Sequence, residues 1–294
     1  MSIPRDISLK EILDEWNLTL ISSLAARKLT QVHRVQMEDG SPAILKLYRD
    51  GNMGIENEAP LVLEALAGNG CIELYKSKHG AQLLEWQDGS DLAHVMSSAK
   101  NLQAIDRSAT DIVIDIAQAI RERAFLTRPE KNMESRLKGL LLAEHDRDPV
   151  LQTREFHLVQ NIARSMIATE DPDRRGTVHG DLHPENIING SRGWRAIDPI
   201  GVLAEPEAEY AMLFRSPPSL VSLTHSPDRA LRVAKRISDR TGLDPARVLG
   251  WAVARSGHSL WMALRNVPEE TARHTNEKLV MHALLKAHGL VSPP

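Results

Sequence analysis

Val178-His179-Gly180-Asp181-Leu182-His183-Pro184-Glu185-Asn186-Ile187-Ile188 is followed by a short strand signal at Trp194 to Ile197 and then by Asp198-Pro199-Ile200-Gly201. Glycine and proline punctuate the whole stretch, so it continues neither a helix nor a long strand. The sequence on both sides has helical periodicity, which sets an irregular loop inside a helical region, the kind of place where sites sit. An Asp and an Asn five positions apart, then a second Asp beyond a strand, form the set that phosphoryl transfer needs. One carboxylate orients the attacking hydroxyl and can accept its proton, while an amide oxygen and a second carboxylate hold magnesium against a triphosphate. Asp181 fits the first role; Asn186 and Asp198 fit the second.

The spacing and order also match the protein-kinase catalytic signature, with Asp198 standing where the metal-binding Asp would be. Two other readings compete. His179, Asp181 and His183 can be loop residues that satisfy local hydrogen bonds. They can also be alternating ligands of zinc or iron, although that reading leaves Asn186 and Asp198 idle.

Upstream the period changes. Ser8 to Glu11 forms a capping box ahead of Ile12, Leu13 and Trp16, predicting a short amphipathic helix. Leu18 to Leu24, Thr30 to Met37 and Pro42 to Tyr48 read as three strands of an antiparallel meander, with turn residues at Glu38-Asp39-Gly40-Ser41. A helix follows over Glu56 to Ala67, then strands at Ile72 to Ser77 and Ala81 to Glu85. Lys46 stands in the nearly apolar run Ala43-Ile44-Leu45-Lys46, where a lysine is costly unless it is paired. Its functional reading is a phosphate contact held by a carboxylate of the following helix. Glu56 and Glu58 both qualify, and Glu58 is preferred because Leu61 and Val62 then lie one turn on. The alternative is an edge-strand lysine that deters aggregation. Leu83 to Gly89 reads as a hinge in which Glu85, Trp86 and Gln87 would meet a nucleotide base, with Trp86 equally able to be a packing residue.

The expected architecture is α+β: a protein-kinase-like pair of lobes, residues 1–86 forming a small antiparallel sheet with one main helix, residues 87–294 forming a larger, mostly helical lobe. In the second lobe helices are predicted over Ser108 to Phe125, Val150 to Thr169, Glu207 to Phe214, Pro227 to Thr241, Pro245 to Arg265 and Glu269 to His288. Trp251, His258 and Trp261 share a helical face and could wall an acceptor pocket, though core packing explains them as well.

Composition bounds the rest. The chain has 294 residues with 42% hydrophobic and 26% charged, ordinary for a globular protein with a full core. A net charge of -3 points away from nucleic acid. Cys71 is the single cysteine, which excludes an intrachain disulfide and suits a reducing compartment. No run approaches a membrane span and no signal-like apolar segment follows Met1, so a cytoplasmic location is expected, as a monomer or weak homodimer.

The Val178 to Ile188 stretch, its continuation through Ser191-Arg192-Gly193-Trp194 to Asp198-Pro199-Ile200-Gly201 and Glu205-Pro206, and Asp39 to Lys46 together resemble the aminoglycoside phosphotransferases, in the streptomycin 6-phosphotransferase and hydroxyurea phosphotransferase branch. The resemblance spans most of the chain. It implies a protein-kinase-like fold, ATP or GTP with Mg2+, Asp181 as catalytic base, Asn186 and Asp198 as metal ligands, Lys46 as phosphate contact, and a small hydroxylated acceptor such as streptomycin or hydroxyurea. Leu24 to Thr30 departs from protein kinases in having no glycine where they place a phosphate cover. A cationic antibiotic would want carboxylates around its pocket, and Glu205, Glu207 and Glu209 are the candidates, although acidic residues in a first helical turn are favoured by the helix dipole in any case. The class-level alternative is a kinase-shaped protein that binds nucleotide without turnover; retention of Lys46, Asp181, Asn186 and Asp198 argues for activity.

Overall fold

A computed structural model describes residues 8–26, 29–123, 128, 130–143, 148–266 and 272–291. Arg27 and Lys28 of the expected cover loop, Phe125 at the end of one predicted helix and Glu269 at the start of another lie outside the described residues.

The chain opens with α1 (Leu9–Trp16), β1 (Thr19–Ala26), β2 (Thr30–Gln36), β3 (Pro42–Tyr48), α2 (Ala59–Leu66), β4 (Leu74–Lys78) and β5 (Ala81–Glu85). The Ser8 capping box forms as read from the sequence, Ser8 Oγ accepting from Glu11 N and Glu11 returning the bond to Ser8 N. The strands make one antiparallel sheet in the order β1-β2-β3-β5-β4. Alternation along β3 sends Ala43, Leu45 and Leu47 to one face, where they pack with Ile12 and Trp16 of α1, Val35 and Leu83. The same alternation turns Lys46 to the opposite face.

Helices dominate from there: α3 (Leu92–Ser97), α4 (Leu102–Glu122), α5 (Met133–Leu141) and α6 (Arg154–Ala168) precede the short strands β6 (Gly176–Val178), β7 (Ile187–Ile188), β8 (Arg195–Ala196) and β9 (Val202–Ala204). They are followed by α7 (Val221–Thr224), α8 (Pro227–Thr241), α9 (Pro245–Asn266) and α10 (Ala272–Val291). The main core unites α2 and α4 with α6, α8 and α9 through Leu66, Val113, Phe156, Ile237 and Trp251. Asp106 and Arg229, both nearly sealed from solvent, tie α4 to α8, the guanidinium also donating to the Phe214 carbonyl.

Four expectations need correction. The helix expected from Glu56 begins at Ala59, because Pro60 suits a first turn and Gly54–Glu56 forms a separate 3₁₀ turn. Glu207 to Phe214 lies within a ten-residue 3₁₀ stretch, Pro206–Arg215, not an α-helix. The helices α3 and α5 were not predicted; α5 is short and its amphipathic pattern weak, so its start is marked chiefly by the Asn132–Ser135 capping pair. Helix α4 begins six residues before the predicted Ser108, at Leu102, capped by Asn101.

The sheet is fastened to the helical part through backbone. Ile72 N donates to Ala196 O and Ala196 N to Gly70 O, while Gly89 N donates to Asn189 O. These bonds fix the sheet's exit against β7 and β8, which flank the site. Among the described residues no helix is long and apolar enough to cross a membrane.

Candidate active site

Pairing of β6 with β9 and of β7 with β8 makes two short antiparallel strand pairs, the second nested within the first along the chain. The segment from His179 to Asn186 bridges β6 to β7, and the segment from Ile197 to Gly201 bridges β8 to β9. Both loops therefore cross between the same two strand pairs, and Ile197 N donates to Asn186 O (2.9 Å), which joins the loop of Asp181 and Asn186 to the loop of Asp198 although the chain separates them.

His179 binds the two loops together. Its carbonyl accepts from Ile200 N (2.9 Å) and Gly201 N (3.2 Å), and its Nε2 meets the Ile197 carbonyl at 2.9 Å. The Asp181 N–H points at Nδ1 (3.3 Å). A carbonyl can only accept and an N–H only donate, so the proton sits on Nε2 and the ring is neutral. Full burial, the largest influence, pushes its pKa down to about 4. Neither ring nitrogen is left for a metal, which removes the alternating-ligand reading. Gly180 takes φ +82°, a left-handed turn that aims Asp181 outward.

Asp181 stands among cations. Burial acts to raise its pKa, but the hydrogen bond and charge of His183 and the charges of Arg255 and Arg136 outweigh it and hold the carboxyl well below its ordinary range. His183 Nε2 lies 3.5 Å from Asp181 Oδ2 and Nδ1 lies 2.7 Å from Glu185 Oε2. Burial opposes protonation of His183, yet these two carboxylates lift it to about 9. Asn186 Nδ2 donates to the Asp181 carbonyl (3.0 Å) and reaches Asp181 Oδ2 at 3.4 Å. That orientation leaves its amide oxygen as the acceptor.

Lys46 Nζ reaches from β3 to Asp198 Oδ1 (2.9 Å) and Glu56 Oε2 (2.5 Å). Desolvation would lower its pKa, but the charges of Asp198 and Glu56 raise it above the ordinary value. Tyr48 Oη also donates to Glu56 Oε2 (2.7 Å). The carboxylate paired with Lys46 is thus Glu56, not the preferred Glu58. The helical spacing used to choose Glu58 does not reach back past Ala59; Glu58 instead precedes α2 with its side chain buried, Oε1 3.5 Å from Arg128 Nε. Asp198 adopts φ +56°, a left-handed conformation that Asp tolerates better than most residues. One amide oxygen and one carboxylate are hard donors of the sort magnesium takes while keeping waters and phosphates in its other positions, so the residues fit that ion.

At the expected hinge, Glu85 is engaged elsewhere. Its carboxylate forms a forked pair with Arg192, Nε to Oε1 at 2.8 Å, and Oε2 accepts from Glu73 N at 3.0 Å. Trp86 stacks under Arg34, whose guanidinium carbon lies 4.5 Å from the ring centroid. Gln87 is buried, with Oε1 lacking a partner.

A cavity of about 550 Å³ opens in front of Asp181, lined in part by Asn132, Ser135 and Arg136 of the α5 segment and by Arg255, His258 and Met262 of α9. None of Glu205, Glu207 and Glu209 lines it. Glu205 is fully buried beneath Arg247 (2.6 Å) and Trp251 Nε1 (2.5 Å), and Glu207 pairs with Arg174. Glu209 accepts from His179 N (2.7 Å) and Gly180 N (3.3 Å), bracing the loop that carries Asp181 from behind. Their burial makes them supports of the fold rather than walls of the pocket, which corrects the expectation that they touch an acceptor. Of the three aromatic residues in α9, Trp251 is core, His258 lines the cavity and Trp261 packs beside it, ring centroids 5.6 Å apart.

Sequence reasoning missed Arg136 and Arg255. Arg255 had a signal: it interrupts the apolar run Trp251-Ala252-Val253-Ala254 as Lys46 interrupts β3, and an unpaired charge in such a run needs a reason.

Comparison with known proteins bears on the family and the fold. Residues 15–266 match the family described as aminoglycoside/hydroxyurea antibiotic resistance kinase. A streptomycin 3''-kinase of Klebsiella pneumoniae is 29% identical over 260 residues, covering 84% of this chain and 89% of that protein. A thermostable mutant of aminoglycoside phosphotransferase APH(4)-Ia, crystallised with ADP and hygromycin B, superposes with a TM-score of 0.67 at 10% identity, covering 97% of this chain and 99% of that one. A putative fructosamine-3-kinase of Thermobifida fusca gives a TM-score of 0.61 at 19% identity, covering 95% and 99%. With the match running from α1 through α9, the chain is a small-molecule kinase belonging to the aminoglycoside/hydroxyurea antibiotic resistance kinase family.

Proposed function

We propose that this kinase transfers the γ-phosphoryl group of ATP, with GTP as an alternative donor, to a hydroxyl of a small molecule seated in the cavity before Asp181. The observation that supports it is the convergence of Lys46, Asn186, Asp198 and Asp181, with Lys46 Nζ 2.9 Å from Asp198 Oδ1 and Asn186 Nδ2 3.4 Å from Asp181 Oδ2. Residues 1–86 would supply the nucleotide lobe and 87–294 the acceptor lobe. Backbone groups at Trp86 and Gln87 would meet the base, with Glu85 holding that segment through Arg192.

Lys46, kept charged by Glu56, contacts the donor phosphates. Asn186 and Asp198 would hold Mg2+, which when bound neutralises charge on the phosphates. Asp181 orients the acceptor hydroxyl. A carboxylate held so acidic is a weak base, so it acts chiefly by positioning and takes the proton late, as a loose transition state with little demand for early proton removal allows. The cavity's walls exclude water from the transferring group. ATP supply and the buried free thiol of Cys71 both suit the cytoplasm.

Kinship brings streptomycin and hydroxyurea forward as acceptors. The absence of Glu205, Glu207 and Glu209 from the cavity favours a second reading, a different hydroxylated metabolite. The test of the reaction is Asp181→Asn assayed for ATP consumption and phosphorylated product by mass, across aminoglycosides, hydroxyurea and hydroxylated metabolites. Turnover should fall at least about 10³-fold with nucleotide affinity retained, the scale of an essential positioning group. Near-normal turnover in that variant defeats the assignment.

A further inference from the structure

The cavity before Asp181 is lined by Lys131, Arg136, Arg215, Arg255 and Arg273, and Asp181 is the sole carboxylate among the described residues that line it. This is the reverse of what a polycationic acceptor needs. Arg215 is compensated by Glu277 of α10. Arg136 and Arg255 are not compensated in the same way. The Arg255 guanidinium is buried, with 4% of the residue exposed. Its Nη2 spends one donor on the weak sulfur acceptor of Met212 (3.1 Å) and stands 3.7 Å from Asp181 Oδ1, too far for a direct hydrogen bond. Its Nη1 has no partner, nor has Nε of Arg136 or of Arg215, nor Nδ1 of His258, all buried atoms.

A buried guanidinium with an unused donor is costly unless something fills the space. The neighbouring charges agree with that cost: burial foremost, then Arg136, push the Arg255 pKa down to about 9, and burial, Arg255 and Arg136 keep His258 neutral, pushed down to about 3. Such crowding of like charge persists where an anion is meant to complete the set, and a planar guanidinium fork matches the two oxygens of a carboxylate or phosphate.

We infer that the acceptor of this kinase is a hydroxyl-bearing oxyanion whose carboxylate or phosphate is held by Arg255 and Arg136, with the hydroxyl to be phosphorylated presented to Asp181. This rests on the phosphotransferase reading above and names its substrate class. The 3.7 Å between Arg255 Nη2 and Asp181 Oδ1 sets the anionic group only a few bonds from the reacting hydroxyl. In the transfer, the hydroxyl oxygen forms the new P–O bond, the γ-phosphorus to β-bridging-oxygen bond breaks, ADP leaves with that electron pair, and the hydroxyl proton passes to Asp181. Streptomycin, a cation, and hydroxyurea, which is neutral, satisfy neither arginine.

The test compares acceptors of matched skeleton: gluconate against glucitol, and glucose 6-phosphate against glucose, with streptomycin and hydroxyurea alongside. ATP consumption and product mass are measured, and acceptor binding is followed calorimetrically with a non-hydrolysable ATP analogue present. At least one anion should exceed its neutral partner by about 100-fold in kcat/KM or affinity, and the carboxylate and phosphate arms show which oxyanion is read. Arg255→Met should weaken that anion about 10- to 100-fold, the worth of a charge-assisted hydrogen bond, with nucleotide Kd unchanged. Arg136→Met provides the same reading should Arg255→Met unfold. Preference for streptomycin or a neutral alcohol with Asp181-dependent turnover overturns the inference and leaves the kinase reading standing. Arginine variants that weaken nucleotide rather than acceptor overturn it too, by assigning the arginines to the donor phosphates. If none of the anions binds more tightly than its neutral partner, the inference likewise fails.

Discussion

Replacing Glu209 by Gln separates the energetics of the loop support from the chemistry it serves. Glu209 is almost entirely buried and its carboxylate receives two backbone N–H groups, from His179 and Gly180. Burial, opposed by those two bonds and reinforced by the nearby charge of Asp181, lifts its pKa from 4.5 to about 7. At roughly 1.4 kcal/mol per pH unit, ionising it inside the fold costs about 3 kcal/mol. The folded state therefore holds the proton more tightly than the unfolded chain between pH 4.5 and 7, and the stability this residue contributes is full below pH 4.5 and is lost as pH rises through about 7. Glu209→Gln does not titrate, so that loss disappears. In exchange its NH2 faces one of the two backbone N–H groups, leaving a donor unsatisfied at a cost of about 1–3 kcal/mol at every pH. The variant should melt below wild type at pH 5 and match or exceed it at pH 8. For a chain of this size about 3 kcal/mol corresponds to a relative Tm change of roughly 5 °C. Differential scanning fluorimetry across pH 5–8 on both proteins reads this directly, because every other titrating group cancels in the difference. A wild-type-minus-variant Tm gap that stays constant from pH 5 to pH 8 refutes the reasoning. Turnover of Glu209→Gln should fall about 10-fold or more, because the loop that aims Asp181 has lost one of its two braces.

Glu56→Gln should lower kcat/KM for ATP about 10- to 100-fold by loosening Lys46, whereas steady-state kinetics of Glu58→Gln should show nucleotide parameters within about 3-fold of wild type; the opposite ranking would return the pairing to Glu58. His183→Gln should flatten the pH dependence of stability on the alkaline side. The protonated ring, lifted to about 9 by Asp181 and Glu185, contributes fully below its ordinary value near 6.5, and that contribution disappears as pH rises through about 9, which thermal melts from pH 6 to 10 would record. Arg229→Met should cost about 3–5 kcal/mol in urea denaturation, because Asp106 is left buried and unpaired between α4 and α8.

The sequence alone determined the general architecture and picked out the residues proposed as the phosphoryl-transfer centre. Asp181, Asn186 and Asp198 sit within eighteen residues of one another, and both their chemistry and the glycine and proline that shape their loop are local properties. Lys46 was legible because a charge in an apolar strand has few bland explanations, and the meander because period-2 alternation is written residue by residue. Tertiary structure decided what depended on distance across the chain. Whether Glu56 or Glu58 meets Lys46 turned on where α2 starts, which Pro60 and the preceding glycine-rich turn set. Glu205, Glu207 and Glu209 look like surface acids at a helical first turn, but the 3₁₀ stretch turns all three inward, where Arg247, Arg174 and the backbone at His179 and Gly180 receive them. The pocket's charge was the least legible property. Arg136 on α5, Arg215 at the end of the 3₁₀ stretch and Arg255 on α9 are far apart in sequence, and a cluster of like charges exists only once helices have packed, because the field at a site sums over space and not along the chain.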